Sequence, residues 1–355
     1  MTYGGGSIKK SGLYDKVVAE IKKVGLELFE LSGIEPNPRV SSVNAGAEIC
    51  KKEKIDVLLA VGGGSVIDCT KFIGAATFHD GDAWDILEGK VDVKKCLPIV
   101  DILTLAATGS EMDNGGVISN PKTKDKIGMG FDVMQPKVSF LDPTLTYSVS
   151  SYQTACGSAD MLSHIFEVYF NMEKDLYMLD TVMEGLIKTI IKYAPVAMKN
   201  PEDYEARANL MWTSSWAING FIDGGKCQAW SCHPMEHELS AIYDITHGLG
   251  LAILTPRWME YCLDDTTVSR YYQFGCNVFG LDPSMEPMQV AKKSIELTAE
   301  FLYQTLGLKS TFSEIGIDET NFEVMAEKAV RIGGLKDAFK PLTKEDVVNI
   351  FKMCK

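Results

Sequence analysis

Residues Ile55 to Val61 read IDVLLAV, a nearly continuous apolar run, and the next four residues are Gly62-Gly63-Gly64-Ser65. A run this short and this apolar suits a strand covered on both faces, as in a parallel sheet flanked by helices. Ser65 to Ala76 follows with helical patterning and carries Asp68. A strand, a glycine turn and a helix in that order restrict the chain to an α/β architecture. The surrounding segments agree. Leu13 to Val24 and Val43 to Lys54 have helical spacing, while Leu26 to Leu31, Leu97 to Leu103 and Val138 to Leu141 read as strands.

Near Ser150 the pattern changes. Gln153 to Phe170, Tyr177 to Met198, Glu202 to Ile218, Met288 to Leu306 and Lys344 to Met353 repeat with a period near 3.6, and strand-like segments almost vanish. The expected organisation is an α/β domain over 1–150 followed by an all-helical domain over 151–355. There is no internal repeat or low-complexity tract.

Bulk properties narrow the function. The chain has 355 residues, enough for two domains, with 46% hydrophobic and 23% charged residues. Its net charge of -13 repels nucleic acid and anionic membranes, so neither is expected as a partner. No apolar run has the length of a membrane span, and no charged-then-apolar leader opens the sequence. Nine cysteines, an odd number without a CxxC pair, argue against a disulfide framework or a thiolate zinc site. Reduced thiols and a cytoplasmic location are expected.

The glycine turn points to phosphate. Glycines let the backbone approach a diphosphate, and the following helix N-terminus offers free N–H groups and positive potential. One glycine there would indicate only a tight turn; GGGS between a buried strand and a helix favours phosphate binding. The pattern is neither GxGxxG nor a P-loop. Leu103 to Glu111 (LTLAATGSE) follows another strand and also lies where open α/β sheets bind ligands, although an ordinary loop accounts for it equally well.

Histidines carry the most information. The five are His79, His164, His233, His237 and His247. Asp160 and His164 stand at i and i+4, as do His233 and His237, so each pair shares one helix face. A carboxylate and three imidazoles suit a borderline divalent ion such as Fe²⁺ or Zn²⁺. A single histidine is usually structural, but four of five in two short stretches favour a metal. His79 reads as a surface residue. His237-Glu238-Leu239-Ser240-Ala241 begins like HExxH, but Ala241 stands where a protease needs its second histidine.

Taken in order, GGGSIKKSGLYDKV, GIEPNP, LLAVGGGSVIDCTKFI, ATGSE, LDPTLTYS, D-x3-H, H-x3-H and YDITHGLGLAIL resemble the iron-containing alcohol dehydrogenases. The likeness is to the branch of butanol dehydrogenases and broad-specificity NADPH-dependent aldehyde reductases, and it runs from Tyr3 almost to the C-terminus. It implies a Rossmann-like domain followed by an all-helical domain, the dehydroquinate synthase-like fold, with metal and cofactor meeting in the cleft. It implies Asp160, His164, His233 and His247 as metal ligands and His237 as a proton relay near the nicotinamide. It implies cofactor contacts at Gly6, Ser7, Asn37, Gly63, Gly64, Ser65, Asp68, Thr104, Leu105, Thr108 and Lys126, the last near the nicotinamide ribose. It implies a small aldehyde or alcohol as substrate and a homodimer.

NAD-preferring enzymes commonly hold the ribose 2′-hydroxyl with an acid that repels a 2′-phosphate. At the matching place this chain has Gly6 and Ser7, with Lys9 and Lys10 nearby, so NADP(H) is expected over NAD(H). Only Met1, Thr2 and Tyr3 precede Gly4, so the first strand of the nucleotide-binding sheet is expected to be missing. Trp230 and Phe166 are candidate pocket walls, or core residues. Alternatives are a polyol (glycerol-type) dehydrogenase, dehydroquinate-synthase-like lyase chemistry, against which the motifs speak, and an inactive truncated relative.

Overall fold

In the computed structural model, which describes residues 1–224 and 229–355, the chain divides into two compact units, Met1–Val149 and Ser150–Lys355. The first contains β1 (Thr2–Tyr3), α1 (Ser7–Lys10), α2 (Leu13–Lys23), α3 (Val40–Glu53), β2 (Leu58–Gly62), α4 (Gly64–Ala76), α5 (Trp84–Leu87), β3 (Ile99–Leu103), β4 (Gly115–Asn120), β5 (Asp125–Gly130) and β6 (Val138–Phe140). Strands β1-β2-β3-β6 form a parallel sheet in that order, with Ala60 of β2 between Thr2 and Asp101. Ala60, Val61 and Ile99 are buried, and so is almost all of α4, which explains the unbroken apolar run of β2.

Three features differ from what the sequence alone suggests. The first strand is present: Thr2 and Tyr3 pair in parallel with Ala60 and Val61. Tyr3, Ile8, Val17 and Val61 form a small core that seats the first helices on this edge. Leu26 to Leu31 is not a full strand. Only Leu31 makes a bridge, to Thr2, because this extended segment meets a partner just two residues long. The third change is the antiparallel hairpin β4–β5, which the sequence reading passed over. Its glycines mask the period-two pattern, and its turn, Pro121 to Lys124, puts Lys124 at a φ of 53°.

The second unit is helical: α6 (Ser151–Tyr169), α7 (Tyr177–Lys199), α8 (Tyr204–Trp216), α9 (Cys232–Tyr243), α10 (His247–Cys262), α11 (Val268–Phe279), α12 (Pro287–Glu300), α13 (Phe322–Gly333) and α14 (Lys344–Met353). A π-helical turn, Phe301–Thr305, continues α12. Local signals set the ends. Ser150 caps α6 by accepting from the Gln153 N–H, and Thr343 with Asp346 makes a capping box on α14. One apolar core runs through these helices and includes Phe166, Phe170, Trp258, Tyr271 and Phe274. Nearly every residue of α6 is buried, so any polar side chain on it needs an internal partner. Among the described residues, no helix is long and apolar enough to cross a membrane.

Candidate metal centre and cofactor turn

Helix α6 presents Asp160 and His164 one turn apart, both buried. Helix α9 brings His233 in its first turn, and α10 begins at His247. The three imidazoles converge on one atom. Asp160 Oδ1 lies 3.5 Å from His164 Nε2, 3.5 Å from His233 Nε2 and 3.6 Å from His247 Nε2. Asp160, His233 and His247 each offer a ligand atom within 4.8 Å of the others, and His164 joins them through the shared Asp160 oxygen.

The hydrogen-bond pattern shows what these atoms await. Neither Asp160 Oδ1 nor His233 Nε2 has a hydrogen-bond partner among the described residues, although both are buried. His233 Nδ1 lies 2.5 Å from Glu167 Oε1, and a carboxylate only accepts, so Nδ1 carries the hydrogen. In the neutral ring, Nε2 then turns a lone pair toward the lone pairs of Asp160. Such an arrangement is costly unless a proton or a metal cation lies between the two. Four ligands at bonds of about 2.0–2.2 Å around a tetrahedral ion stand about 3.3–3.6 Å apart. The three separations between Asp160 and the imidazoles match, and the donor types suit a borderline divalent metal.

The electrostatics agree. Burial pushes the Asp160 carboxyl up, but facing His164, His247 and His233 outweighs it and holds the group well below the ordinary carboxylate range. Burial lowers His164 to about 3, which keeps its imidazole neutral. Burial also acts to lower His233, but Glu167 and Asp160 override it and raise the group to about 9. A proton and a metal ion therefore compete for this carboxylate-lined position.

His237 follows His233 by one turn of α9, its ring 6.1 Å from that of His233 and 5.7 Å from that of His247. Glu236, His237 and His247 are also mutually close. There the Glu236 carboxylate is taken by His247 Nδ1 and the Ser240 hydroxyl, which makes it a support for His247 rather than a second centre. The Trp230 ring stands 4.8 Å from His233 and 5.5 Å from His164, beside two of the imidazoles that converge on Asp160. Phe166 is a core residue, packed edge-on against Phe274, because its position on α6 faces the apolar core of the helical unit. His79 lies in the first unit, 3.3 Å from Asp85.

The first unit gathers its own set at the carboxyl ends of the parallel strands. Gly6 caps α1 and Ser7 is its first residue. Gly63 caps α4 ahead of Gly64 and Ser65. The Thr104 N–H bonds the Gly62 carbonyl, which ties the segment after β3 to the turn after β2. A Cβ on Gly64 would lie 2.1 Å from Thr108 Oγ1, so any larger residue would push Thr108 aside where the two segments meet, and Leu105 packs on Gly63. Asp68 accepts from Ser110 Oγ at 2.6 Å and from the Val117 N–H at 2.9 Å, holding loop and hairpin against α4. Asn37, with φ of 52°, precedes a bridge between Arg39 and Ser119, and Ser119 is opposite the buried Lys126 on the hairpin.

Two residues at the centre escaped the sequence reading, Glu167 and Glu236. A signal was available. Each is a carboxylate in a helix whose neighbours are buried, and Glu167 interrupts the apolar stretch around His164.

Comparison with known proteins agrees with this geometry. Residues 1–143 match the family described as iron-containing alcohol dehydrogenase, and residues 154–354 match the C-terminal region of the Fe-containing alcohol dehydrogenase family. The chain is 51% identical over 353 residues to NADH-dependent butanol dehydrogenase A of Clostridium acetobutylicum, covering 99% of this chain and 90% of that one. It is 37% identical to NADPH-dependent aldehyde reductase YqhD of Escherichia coli, covering 92% and 84%. The crystal structure of NADH-dependent butanol dehydrogenase A from Thermotoga maritima superposes with a TM-score of 0.94 at 39% identity, covering 99% of this chain and 90% of that one. With both of its units matched, the chain belongs to the iron-containing alcohol dehydrogenase family.

Proposed function

We propose that this chain interconverts short- to medium-chain aldehydes and alcohols with a nicotinamide cofactor at a divalent metal, Fe²⁺ or Zn²⁺, held by Asp160, His164, His233 and His247. The observation that carries the reading is the convergence of three imidazole Nε2 atoms on a buried Asp160 oxygen that has no hydrogen-bond partner among the described residues. The first unit binds the dinucleotide and the second the metal and substrate.

When bound, the metal supplies Lewis acidity at the carbonyl oxygen and the nicotinamide supplies the hydride. The chain's own residues do the rest. Backbone N–H groups at Gly63, Gly64 and Ser65 receive the diphosphate at the start of α4. Thr104 and Thr108 offer hydroxyls and Leu105 an apolar face for ring and ribose, and Asn37 and Lys126 contact the cofactor further along. Asp68 acts by holding Ser110 and Val117 in place. His237 moves the proton to and from the substrate oxygen. Trp230 forms an apolar wall for the aldehyde chain beside His233 and His164.

NADP(H) is preferred over NAD(H) in this reading, because Gly6 and Ser7 put no carboxylate against a 2′-phosphate. The relatives divide on the point, since those above are named for NADH and for NADPH. A homodimer in the reducing cytoplasm completes the proposal, supported by the family and by eight unpaired cysteines among the described residues.

The test is cofactor consumption with butanal, using metal-stripped protein resupplied anaerobically with Fe²⁺ or Zn²⁺, with NADPH and NADH in parallel. Metal-dependent turnover is expected, with the higher kcat/KM for NADPH. No turnover in folded, metal-loaded protein refutes the activity. Faster turnover with NADH refutes only the cofactor preference.

A further inference from the structure

We propose that Glu167 and Glu236 are positioning residues that preassemble the metal centre, each fixing one imidazole through its Nδ1 while the Nε2 faces Asp160. This inference rests on the metal-centre reading above and concerns groups outside the ligand set.

Glu167 is 2% exposed and follows Asp160 and His164 on α6. Its carboxylate crosses to the start of α9. It accepts from the N–H groups of Ser231 at 2.5 Å, Cys232 at 2.8 Å and His233 at 3.1 Å, from His233 Nδ1 at 2.5 Å, and from the Ser163 hydroxyl at 3.1 Å. A buried carboxylate is stable only when so surrounded, and the helix N-terminus adds favourable potential. One side chain thus ties the helix carrying two ligands to the helix carrying the third.

Glu236 is wholly buried and does the same between α9 and α10. It accepts from His247 Nδ1 and from the Ser240 hydroxyl. Room for it comes from Gly250, one turn beyond His247, where a Cβ would lie 2.8 Å from Glu236 Cγ.

The third imidazole differs. His164 Nδ1 has no hydrogen-bond partner among the described residues. Its ring instead stacks on His233, with centroids 4.7 Å apart and planes 14° from parallel. Two of the three imidazoles are therefore locked in rotation and tautomer by carboxylates, and the third leans on one of them. Carboxylates behind ligating histidines also raise the basicity of the facing nitrogen. Imidazoles held in this way cost less to order when a metal binds, which raises affinity.

The test is Co²⁺ binding by the full chain, measured by chelator competition and by the visible absorption of bound Co²⁺, with the melting of each metal-free variant recorded separately. Glu236→Ala and Glu167→Ala should each weaken Co²⁺ binding about 10- to 100-fold and alter the absorption band. Glu236→Gln, which keeps an acceptor for Nδ1–H without the charge, should recover part of that loss. If Glu167→Ala fails to fold because α9 loses its N-terminal acceptor, Glu236→Ala decides. A purely structural role would lower the melting temperature and leave affinity and spectrum unchanged. That outcome, with His233→Ala losing Co²⁺, overturns the positioning role and leaves the metal centre standing. Failure of the unmodified chain to bind Co²⁺, or wild-type binding by His233→Ala, overturns both.

Discussion

His233→Ala removes one of four convergent donors and cuts Glu167 loose from Nδ1. The metal-free protein should lose on the order of 1–3 kcal/mol from the broken hydrogen bond alone. Glu167 keeps the Ser231 and Cys232 N–H groups, so the fold should survive. Metal linkage is the sharper readout. A metal at a thousandfold above its Kd adds about 4 kcal/mol to the state that binds it. For a unit the size of Ser150–Lys355, each kcal/mol moves the transition by roughly 2–4 °C. The unmodified chain should therefore gain roughly 8–16 °C on adding saturating Zn²⁺, less whatever the unfolded chain binds. His233→Ala should gain almost nothing, whereas His79→Ala, whose ring faces Asp85 in the other unit, should gain as much as wild type. Thermal melts by circular dichroism, with and without metal, measure this directly. An undiminished metal-induced rise in His233→Ala would refute the ligand assignment.

His237→Ala should keep its metal and lose about 10²- to 10⁴-fold in kcat, the usual contribution of a positioned proton donor; metal analysis showing loss of the ion would make His237 a ligand instead. Gly64→Ala should cost about 1–3 kcal/mol by driving a methyl into Thr108 and should raise the KM for the cofactor, since it parts the two segments at the strand ends. Unchanged stability and KM would show that the contact yields freely. Asp101, buried in β3, has its carboxyl pushed up to about 7 by burial, against the opposing Ser139 hydroxyl. The folded state holds this proton more tightly than the unfolded chain, where the group titrates near about 3.9. Its stabilising contribution is therefore full below about pH 4 and is lost as pH rises through about 7. Asp101→Asn should flatten the fall in stability between pH 4 and 8 by on the order of a few kcal/mol, read by urea unfolding across that range; an identical slope in both proteins would refute the assignment.

Patterns confined to one element were legible in the sequence. The apolar run of β2 had to be covered on both faces, the glycines after it had to turn into a helix, and the spacing of Asp160 with His164 had to place both on one face of α6. Covalent geometry and side-chain periodicity fix such features without reference to the rest of the chain. Two other features were less legible. The two-residue strand β1 is too short to carry any periodic signal and exists because Ala60 and Val61 offer it an edge. The hairpin carrying Lys126 is glycine-rich and is held by contacts such as Asp68 with Val117, from a helix about fifty positions away. The metal centre shows the division most plainly. Residue types and spacing nominated the histidines, but only the packing of α6, α9 and α10 brings their Nε2 atoms to one carboxylate oxygen and turns Glu167 and Glu236 onto their far sides. A sequence states which groups can ligate or support; the tertiary structure decides which atom of each ring points inward, because that depends on partners 66 and 11 residues distant along the chain.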